Sequence, residues 1–283
     1  MCKKSSNFAT DLAKNNILYC FCAYVRHLFT SWNTGGEGIH SPYLFHLVRF
    51  IVSDDNRYYS WREIEQRREA MLRAPKLIDI TDFGTGQSRQ TLVSEVAKTS
   101  LTPRQDAQIL YRIVNWLSHE AERPLNIVEL GTNLGITTAY FAMPDSRNTV
   151  TTYEGSHALV EMAQLNWNKL NIKNIRVVEG NIDETLKSEM SIVNCQLSTK
   201  IDLAYIDANH TYDATLRYFE TLQSRSHEKT IIVLDDIHHG PEMERAWRAI
   251  QQYKEVTSTM DFFDFGLVFF DPHYLRKNYR LRK

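Results

Sequence analysis

The chain has 283 residues and a mass of 33.0 kDa, which exceeds the ~100–200 residues of a typical single domain. With 43% hydrophobic and 24% charged residues it has ordinary globular composition, so global disorder and a collagen-like structure are excluded. The formal net charge of -1 provides no chain-wide field for a polyanion. Nucleic acid is therefore not favoured as a partner, and the basic tail 276–283 is interpreted as a solvated charge run.

The cysteines and the apolar runs bear on where the protein resides. Four cysteines in a chain of this length make a poor disulfide framework and favour a reducing compartment. The most apolar early run, 17–25, is shorter than the ~20 residues of a membrane-spanning helix. A signal peptide is the alternative for this run, but no cleavage site follows it. We expect a cytoplasmic protein without a transmembrane segment.

The first hundred residues are dominated by helical patterns. Helices are predicted around 8–30, 41–53 and 60–73, the second with a proline suited to its first turn. From residue 103 onward the pattern alternates between short β-rich runs and helical stretches. We therefore predict a mainly helical N-terminal extension over 1–102 and a second domain over 103–283.

The second domain is predicted to be an α/β fold. Five short β-rich runs are followed by two more, 256–260 and 266–270, near the C-terminal end. Only a short turn region separates these last two runs, so they predict a terminal antiparallel pair. Repeated βαβ units pack as a largely parallel sheet with helices on both faces, because crossovers are right-handed. The prediction is a doubly wound, mostly parallel, seven-stranded Rossmann-like sheet with an antiparallel last strand. Its first five strands are the runs 126–130, 149–153, 175–178, 201–206 and 230–234.

Ligands of such sheets bind beyond the carboxyl ends of the strands, so the residues that follow each strand are the first candidates for a site. After the first strand, Gly131 and Gly135 allow a tight turn and close approach of a ligand. The second strand ends at Glu154, 23 residues beyond Gly131, where a carboxylate can accept hydrogen bonds from ribose hydroxyls. After the third strand, the small Gly180 and the amide of Asn181 could border an adenine. Together these positions predict a nucleoside site.

An earlier glycine pair, Gly84 and Gly86, competes for the same role. It follows the β-rich residues 77–80, so a strand-turn-helix interpretation is open. No β run ending in an acid follows at the required distance, however, and the stretch 101–117 has a helical pattern. We interpret this pair as a structural turn or a lid loop.

The densest cluster of polar residues follows the fourth and fifth strands. Neighbouring parallel strands would bring Asp207 close to Asp235 and Asp236. Converging carboxylates repel one another unless a cation offsets their charge, and oxygen ligands suit Mg²⁺ or another hard divalent cation. His238 and His239 leave a nitrogen-ligated transition metal open, and a helix cap is the structural alternative for the pair.

His210 follows Asp207 by three positions in the sequence. Imidazole titrates near neutrality, as proton removal from a hydroxyl requires. A lone histidine is usually structural, but this one lies beside the predicted cation site. We therefore take His210 as the candidate general base.

The motif from Glu129 through Gly131 to Gly135, with Glu154 and Asp207 after later strands, resembles class I S-adenosylmethionine-dependent methyltransferases. Within the class it is most similar to cation-dependent O-methyltransferases of the catechol and caffeoyl-CoA type and of the macrolide-sugar type. Catechol-type enzymes have Asp-Asn and a lysine base where this chain has Asp-Asp and a histidine. The N-terminal extension is similar to that of uncharacterised bacterial members.

The resemblance implies O-methylation of a small-molecule hydroxyl by S-adenosylmethionine, assisted by a divalent cation and by His210 as base. Asp207 is implied in catalysis, in cofactor binding and, with Asp235 and Asp236, in metal binding. Residues implied around the cofactor are Glu129, Gly131, Thr132, Asn133, Gly135, Glu154, Gly155, Asn181 and Ile182.

Two other functions stay open at this point. The glycine loop with Glu154 also fits an NAD(P)-dependent oxidoreductase, although the third glycine of G-x-G-x-x-G is absent. A noncatalytic Rossmann-like binding protein that uses the extension for a partner is the other alternative. A homodimer is left open as well.

Overall fold

The structure is a computed structural model, and it describes residues 5–32, 35–82, 87–191 and 200–283 of the chain. In the first hundred residues the elements are α1 (Ser5–Thr30), α2 (Pro42–His46), α3 (Tyr59–Leu72), β1 (Leu77–Asp82), β2 (Gln87–Leu92) and α4 (Val93–Ser100). From residue 104 onward they are α5 (Arg104–Ala121), β3 (Asn126–Leu130), α6 (Ile136–Ala142), β4 (Thr149–Glu154), α7 (His157–Lys169), β5 (Ile175–Glu179), α8 (Ile182–Ser191), β6 (Ile201–Ile206), α9 (Tyr212–Gln223), β7 (Ser226–Asp235), α10 (Pro241–Ile250), β8 (Ser258–Asp261), β9 (Phe265–Phe269) and β10 (Lys277–Arg280).

The central sheet has eight strands in the order β10-β8-β9-β7-β6-β3-β4-β5. β9 runs antiparallel to its neighbours β7 and β8, whereas the other adjacent pairs are parallel. The chain adds β4 and β5 on one side of β3 and later strands on the other, so the order reverses between β3 and β6. This confirms the predicted doubly wound, mostly parallel sheet with a late antiparallel strand.

The core lies on both faces of this sheet because its central strands are buried on both sides. All six residues of β6 are buried, as expected for a parallel strand covered on both sides. Leu203 packs in one cluster with Ile113 of α5, and Ala204 packs in another with Phe219 of α9. Among the described residues, none of the helices combines the length and apolar character that a membrane span requires.

The region before residue 103 contains a hairpin in addition to helices. β1 and β2 pair antiparallel, with Leu77 opposite Leu92 and Asp82 opposite Gln87. The strand-turn-helix interpretation of this region required a helix after β1, and the structure has a strand there instead. The glycine pair at 84 and 86 lies outside the described residues. The polar residues of β2 lack the apolar pattern of a strand, so no sequence pattern indicated this second strand in a region predicted to be mainly helical. The domain boundary after residue 102 stays a prediction.

The helices of this region also refine the prediction. The patterns around 8–30 and 60–73 correspond to α1 and α3, and 101–117 corresponds to most of α5. The pattern around 41–53 forms α2, which continues directly into a π-helix over Leu47–Val52. Ser41 caps α2 through its side chain, which accepts a hydrogen bond from the Leu44 N–H.

The basic tail is built into the fold, so the interpretation of 276–283 as a solvated charge run is wrong. It supplies β10, an eighth strand beyond the seven predicted. Tyr279 and Leu281 are buried, and the Lys283 ammonium pairs with the buried carboxylate of Asp106. Basic and apolar residues alternate in this segment, so one face packs while the other faces solvent.

Candidate active site

The carboxyl ends of β3, β4, β6 and β7 meet at one end of the sheet because these strands are parallel. Gly131, directly after β3, has φ +97°, a left-handed conformation that favours glycine. A Cβ atom there would lie 2.0 Å from the backbone oxygen of Asp207. The Asp207 N–H in turn donates to the Leu130 carbonyl at 2.9 Å. Glycine is therefore required where the loops after β3 and β6 touch.

Glu154 joins the end of β4 to the loop after β3. Its Oε2 accepts a hydrogen bond from the Asn133 N–H at 2.8 Å, and its Oε1 accepts one from the Ser156 N–H at 2.9 Å. A carboxylate oxygen carries two lone pairs and can accept more than one hydrogen bond. The backbone thus holds the Glu154 side chain in a fixed orientation at the cavity wall.

Asp207, Asp235 and Asp236 line one cavity at the ends of β6 and β7. Burial, followed by the charge of Asp236, raises the pKa of Asp207 well above its usual range. Burial and then the charges of Asp207 and Asp236 do the same to the pKa of Asp235. A cation would offset this repulsion, and carboxylates are the ligands that Mg²⁺ or another hard divalent cation prefers. In charge and donor chemistry the three side chains fit such an ion, but in the described part of the chain their carboxylate oxygens do not all lie within 4.8 Å of one another.

His210 borders the same cavity, with its Nε2 3.5 Å from Oδ1 of Asp207. Burial lowers the pKa of His210, and the charge of Asp236 only partly opposes this effect. Its ring lies 6.5 Å from that of His239, which also lines the cavity. His210 is thus poised as a neutral imidazole that can accept a proton.

The cavity has a volume of about 610 Å³ and is bordered by residues from both halves of the chain. The hairpin contributes Thr81 and Arg89, and the connection from α4 to α5 contributes Thr102. These residues were missed because no motif marks them in the sequence. The N-terminal region therefore folds over the strand ends. The sequence-predicted residues on the wall are Gly131, Asn133, Glu154, Gly155, Asn181, Ile182, Asp207, His210, Asp235 and Asp236.

Glu129, Thr132 and Gly135 are not among the residues on the cavity wall. Glu129 is fully buried, and its Oε2 accepts hydrogen bonds from Thr138 and Thr152 at 2.6 Å each. Burial raises the pKa of Glu129 to about 8. Thr132 is also buried, with its hydroxyl 2.6 Å from that of Thr152.

Gly135 lies in the contact between α6 and α7. It has φ +70°, and a Cβ atom there would lie 2.6 Å from Nε1 of Trp167. The Trp167 Nε1–H donates to the Gly135 carbonyl at 2.8 Å. In this structure the second glycine of the motif therefore serves helix packing.

Comparison with known proteins connects this arrangement to one class. Residues 128–237 match the family model described as a methyltransferase domain. That span begins in β3 and ends after the acidic pair, so it includes both the glycine loop and the cluster of aspartates. A search of curated protein sequences finds no match.

Solved structures share the fold at low sequence identity. The O-methyltransferase from Bacillus cereus in complex with SAH is 18% identical, with 77% of this chain and 93% of that chain covered and a TM-score of 0.53. The O-methyltransferase TomG from Streptomyces achromogenes, involved in tomaymycin synthesis and in complex with SAM, is 12% identical, with 76% and 91% covered and a TM-score of 0.55. Cofactor-bound Rv0187 from MTB is 14% identical, with 77% and 93% covered and a TM-score of 0.54.

These likenesses establish the fold as the Rossmann-like fold that methyltransferases of this kind share. The family match is more specific, since it places a methyltransferase domain at 128–237. The methyltransferase domain predicted from the sequence is thereby confirmed over this span.

Proposed function

We propose that this protein is an S-adenosylmethionine-dependent O-methyltransferase that acts on a hydroxyl of a small molecule, with help from a divalent cation. One observation carries the proposal: Glu154, the three aspartates and His210 line a single cavity inside a methyltransferase domain. O-methyltransferases with SAM or SAH bound share the fold, which supports the same cofactor here. The NAD(P)-dependent and noncatalytic alternatives gain no support from these comparisons.

The cofactor would lie along the loops after β3, β4 and β5. Gly131 and Asn133 would border its methionine part, Glu154 would accept hydrogen bonds from the ribose hydroxyls, and Asn181 and Ile182 would flank the adenine. The backbone hydrogen bonds to Glu154 fix its carboxylate before the ligand arrives, which reduces the entropy lost on binding.

Asp207, Asp235 and Asp236 would hold the cation. When bound, the cation lowers the pKa of the acceptor hydroxyl and orients it, while the sulfonium supplies an electrophilic methyl group. His210 would accept the hydroxyl proton on an imidazole nitrogen, for which its lowered pKa keeps it neutral. The hairpin and the loop before α5 would exclude water and align the acceptor oxygen with the methyl group.

The central test is Asp207→Ala assayed with S-adenosylmethionine, Mg²⁺ and a panel of small hydroxyl compounds. We expect methyl transfer to fall by at least about a thousandfold, because the acceptor loses its cation, while cofactor affinity changes little. Asp213→Ala, which removes an exposed carboxylate of α9 that does not line the cavity, is the matched control. Undiminished transfer by Asp207→Ala would contradict the cation site, and tight binding of NAD in place of S-adenosylmethionine would contradict the proposed class.

A further inference from the structure

A second group of metal-ligating side chains lies outside the cavity, in the protein interior. His27 of α1, His238 of the loop after β7 and Asp261 at the end of β8 are 4%, 5% and 2% exposed. Each of these residues offers one ligand atom, and the three atoms all lie within 4.8 Å of one another. In the described part of the chain, this is the group of three His, Cys, Asp or Glu residues that meets this limit. We call these three residues the interior triad.

The spacing of the interior triad matches that of ligands around a small ion. Nε2 of His238 donates a hydrogen bond to Oδ2 of Asp261 at 2.9 Å, and Nδ1 of His27 is 3.4 Å from Oδ1. A bound ion would replace the proton of the first contact. Around a tetrahedral ion with ligand atoms at about 2.0–2.1 Å, two neighbouring ligand atoms are about 3.3 Å apart. Small adjustments of the side chains would therefore place an ion between them.

The hydrogen bonding of His27 leaves one ring nitrogen without a suitable partner. Its Nε2 is 3.0 Å from the Leu281 carbonyl oxygen, which only accepts hydrogen bonds, so Nε2 carries a proton. Nδ1 is buried and makes no hydrogen bond, although it faces Asp261. In a neutral ring its lone pair would point at a carboxylate, which is repulsive unless a proton on Nδ1 or a metal cation lies between them.

The outer contacts are those that support metal-bound histidines. A ligating histidine usually donates its other ring N–H to a carbonyl or carboxylate. His27 meets this condition at the Leu281 carbonyl, and Nδ1 of His238, also buried without a hydrogen bond, lies 3.9 Å from Oε2 of Glu244. Both rings are therefore oriented with one nitrogen toward Asp261 and the other toward an acceptor.

The Phe263 ring covers one side of the interior triad, and a cavity lies on another side, next to Asp261. The Phe263 ring stacks on His238 at 5.3 Å and meets His27 edge-on at 5.5 Å. Phe263 has φ +74°, which is strained for a bulky residue and is held by its N–H bond to Oδ1 of Asp261. Asp261 also borders a cavity of about 350 Å³.

We propose that the interior triad is a structural site for a divalent transition metal, with Zn²⁺ as the best chemical match. Two imidazoles and one carboxylate suit Zn²⁺ rather than Mg²⁺, which prefers oxygen ligands. The ion would connect α1 to β8 and to the loop after β7, which begins with Asp236. One charge opposes it, since Nε of Arg280 lies 3.3 Å from Oδ2 of Asp261.

The test uses the full chain, stripped of metal with a chelator and titrated with Co²⁺ in excess Mg²⁺, which occupies the carboxylate site of the cavity. We expect one equivalent of Co²⁺ to give the strong visible absorption of a four-coordinate ion, to be displaced by Zn²⁺ and to be lost in His27→Gln. His27→Cys restores a ligand and should add a sulfur-to-cobalt charge-transfer band. Asp207→Asn should keep the visible band, which separates this site from the proposed catalytic one.

Arg280→Gln tests the direction of the electrostatic effect. Removing the guanidinium should tighten Co²⁺ binding about tenfold, the scale of one charge at close range in a partly solvated setting. Zn²⁺ should also raise the melting temperature of the wild type but not of His27→Gln. The absence of a saturable band in the wild type, a band unchanged in His27→Gln, or weaker binding by Arg280→Gln would each overturn the proposal.

Discussion

Glu129 belongs to the predicted ligand-binding motif, but its side chain is buried and does not line the cavity. Its carboxyl group is fully buried, and the hydroxyls of Thr138 and Thr152 both reach Oε2. Oε1 is buried without a hydrogen-bond partner. Desolvation outweighs the two hydroxyl bonds and raises the pKa to about 8. At neutral pH the group is therefore largely protonated unless a cationic ligand group approaches it.

This raised pKa predicts how Glu129→Gln changes stability with pH. The pKa is higher in the folded state than the ordinary value of 4.5, so the wild type loses stability as pH rises from about 4.5 to 8. Glutamine has nearly the same shape and does not ionise. Glu129→Gln should match the wild type near pH 4 and exceed its free energy of unfolding by about 3–5 kcal/mol above pH 8.

Urea unfolding of the metal-free and cofactor-free protein, measured at several pH values, checks this prediction. The difference in free energy of unfolding between the two proteins reports on Glu129 alone, because all other carboxyl groups are common to both. A difference that stays constant between pH 4 and pH 9 would show that the pKa of Glu129 is not raised.

At the scale of elements, the contact between α6 and α7 depends on Gly135. Gly135→Ala would place a methyl group against Trp167 in a left-handed backbone conformation. We expect a loss of about 2–4 kcal/mol in the free energy of unfolding, from overpacking and backbone strain together. Gly35→Ala is the matched control, because no atom lies within 4 Å of its added Cβ. Equal stability of the two variants in thermal or urea unfolding would refute this account.

The buried carboxylate of Asp202 ties the start of β6 to the start of β3 and to the half-exposed Arg123 before it. Asp202 accepts hydrogen bonds from Arg123 at 2.6 and 3.0 Å and from the Asn126 N–H at 2.8 Å, and Nε2 of His227 lies 3.0 Å away. Burial acts to raise the pKa of Asp202, but these bonds outweigh it and lower the pKa to about 2.

Asp202→Asn should therefore cost about 2 kcal/mol of unfolding free energy at pH 7. Because the folded-state pKa is depressed, this stabilisation is present above pH 4 and disappears as pH falls through about 2. Glu69→Gln, which removes a half-exposed pair with Arg73, should change stability by less than about 0.5 kcal/mol. If chemical unfolding shows the same cost for Asp202→Asn at pH 2 and pH 7, the ion pair is not its cause.

At the scale of the whole molecule, the two ends of the chain complete the fold together. Trp32 after α1 forms a β-bridge with Leu281 after β10. Leu281 is fully buried in the core cluster that includes residues of α5 and of the central sheet. The N-terminal and C-terminal segments are therefore parts of one packed structure.

Leu281→Ala tests this closure. The cavity it leaves should lower the free energy of unfolding by about 2–5 kcal/mol. Leu275→Ala, at a position that is 57% exposed in the same tail, should change it by less than about 0.5 kcal/mol. A similar melting temperature for both variants would mean that the tail packs loosely.

The sequence alone determined the main sheet and the positions of its polar strand ends. Apolar runs such as 201–206 and the turn residues after them are local signals, because strand burial and turn formation involve neighbouring residues. Gly131 and Glu154 could be located for the same reason. The convergence of Asp207 with Asp235 and Asp236 followed from the parallel arrangement of neighbouring strands.

Only the tertiary structure decided which residues reach the cavity and which pack away from it. It showed that Glu129 and Gly135 face the interior, that Arg89 borders the cavity, and that the basic tail is a strand. It also brought His27 to Asp261, more than two hundred positions apart in the sequence. Such contacts depend on how all the elements pack together, and no local pattern of residues encodes that packing.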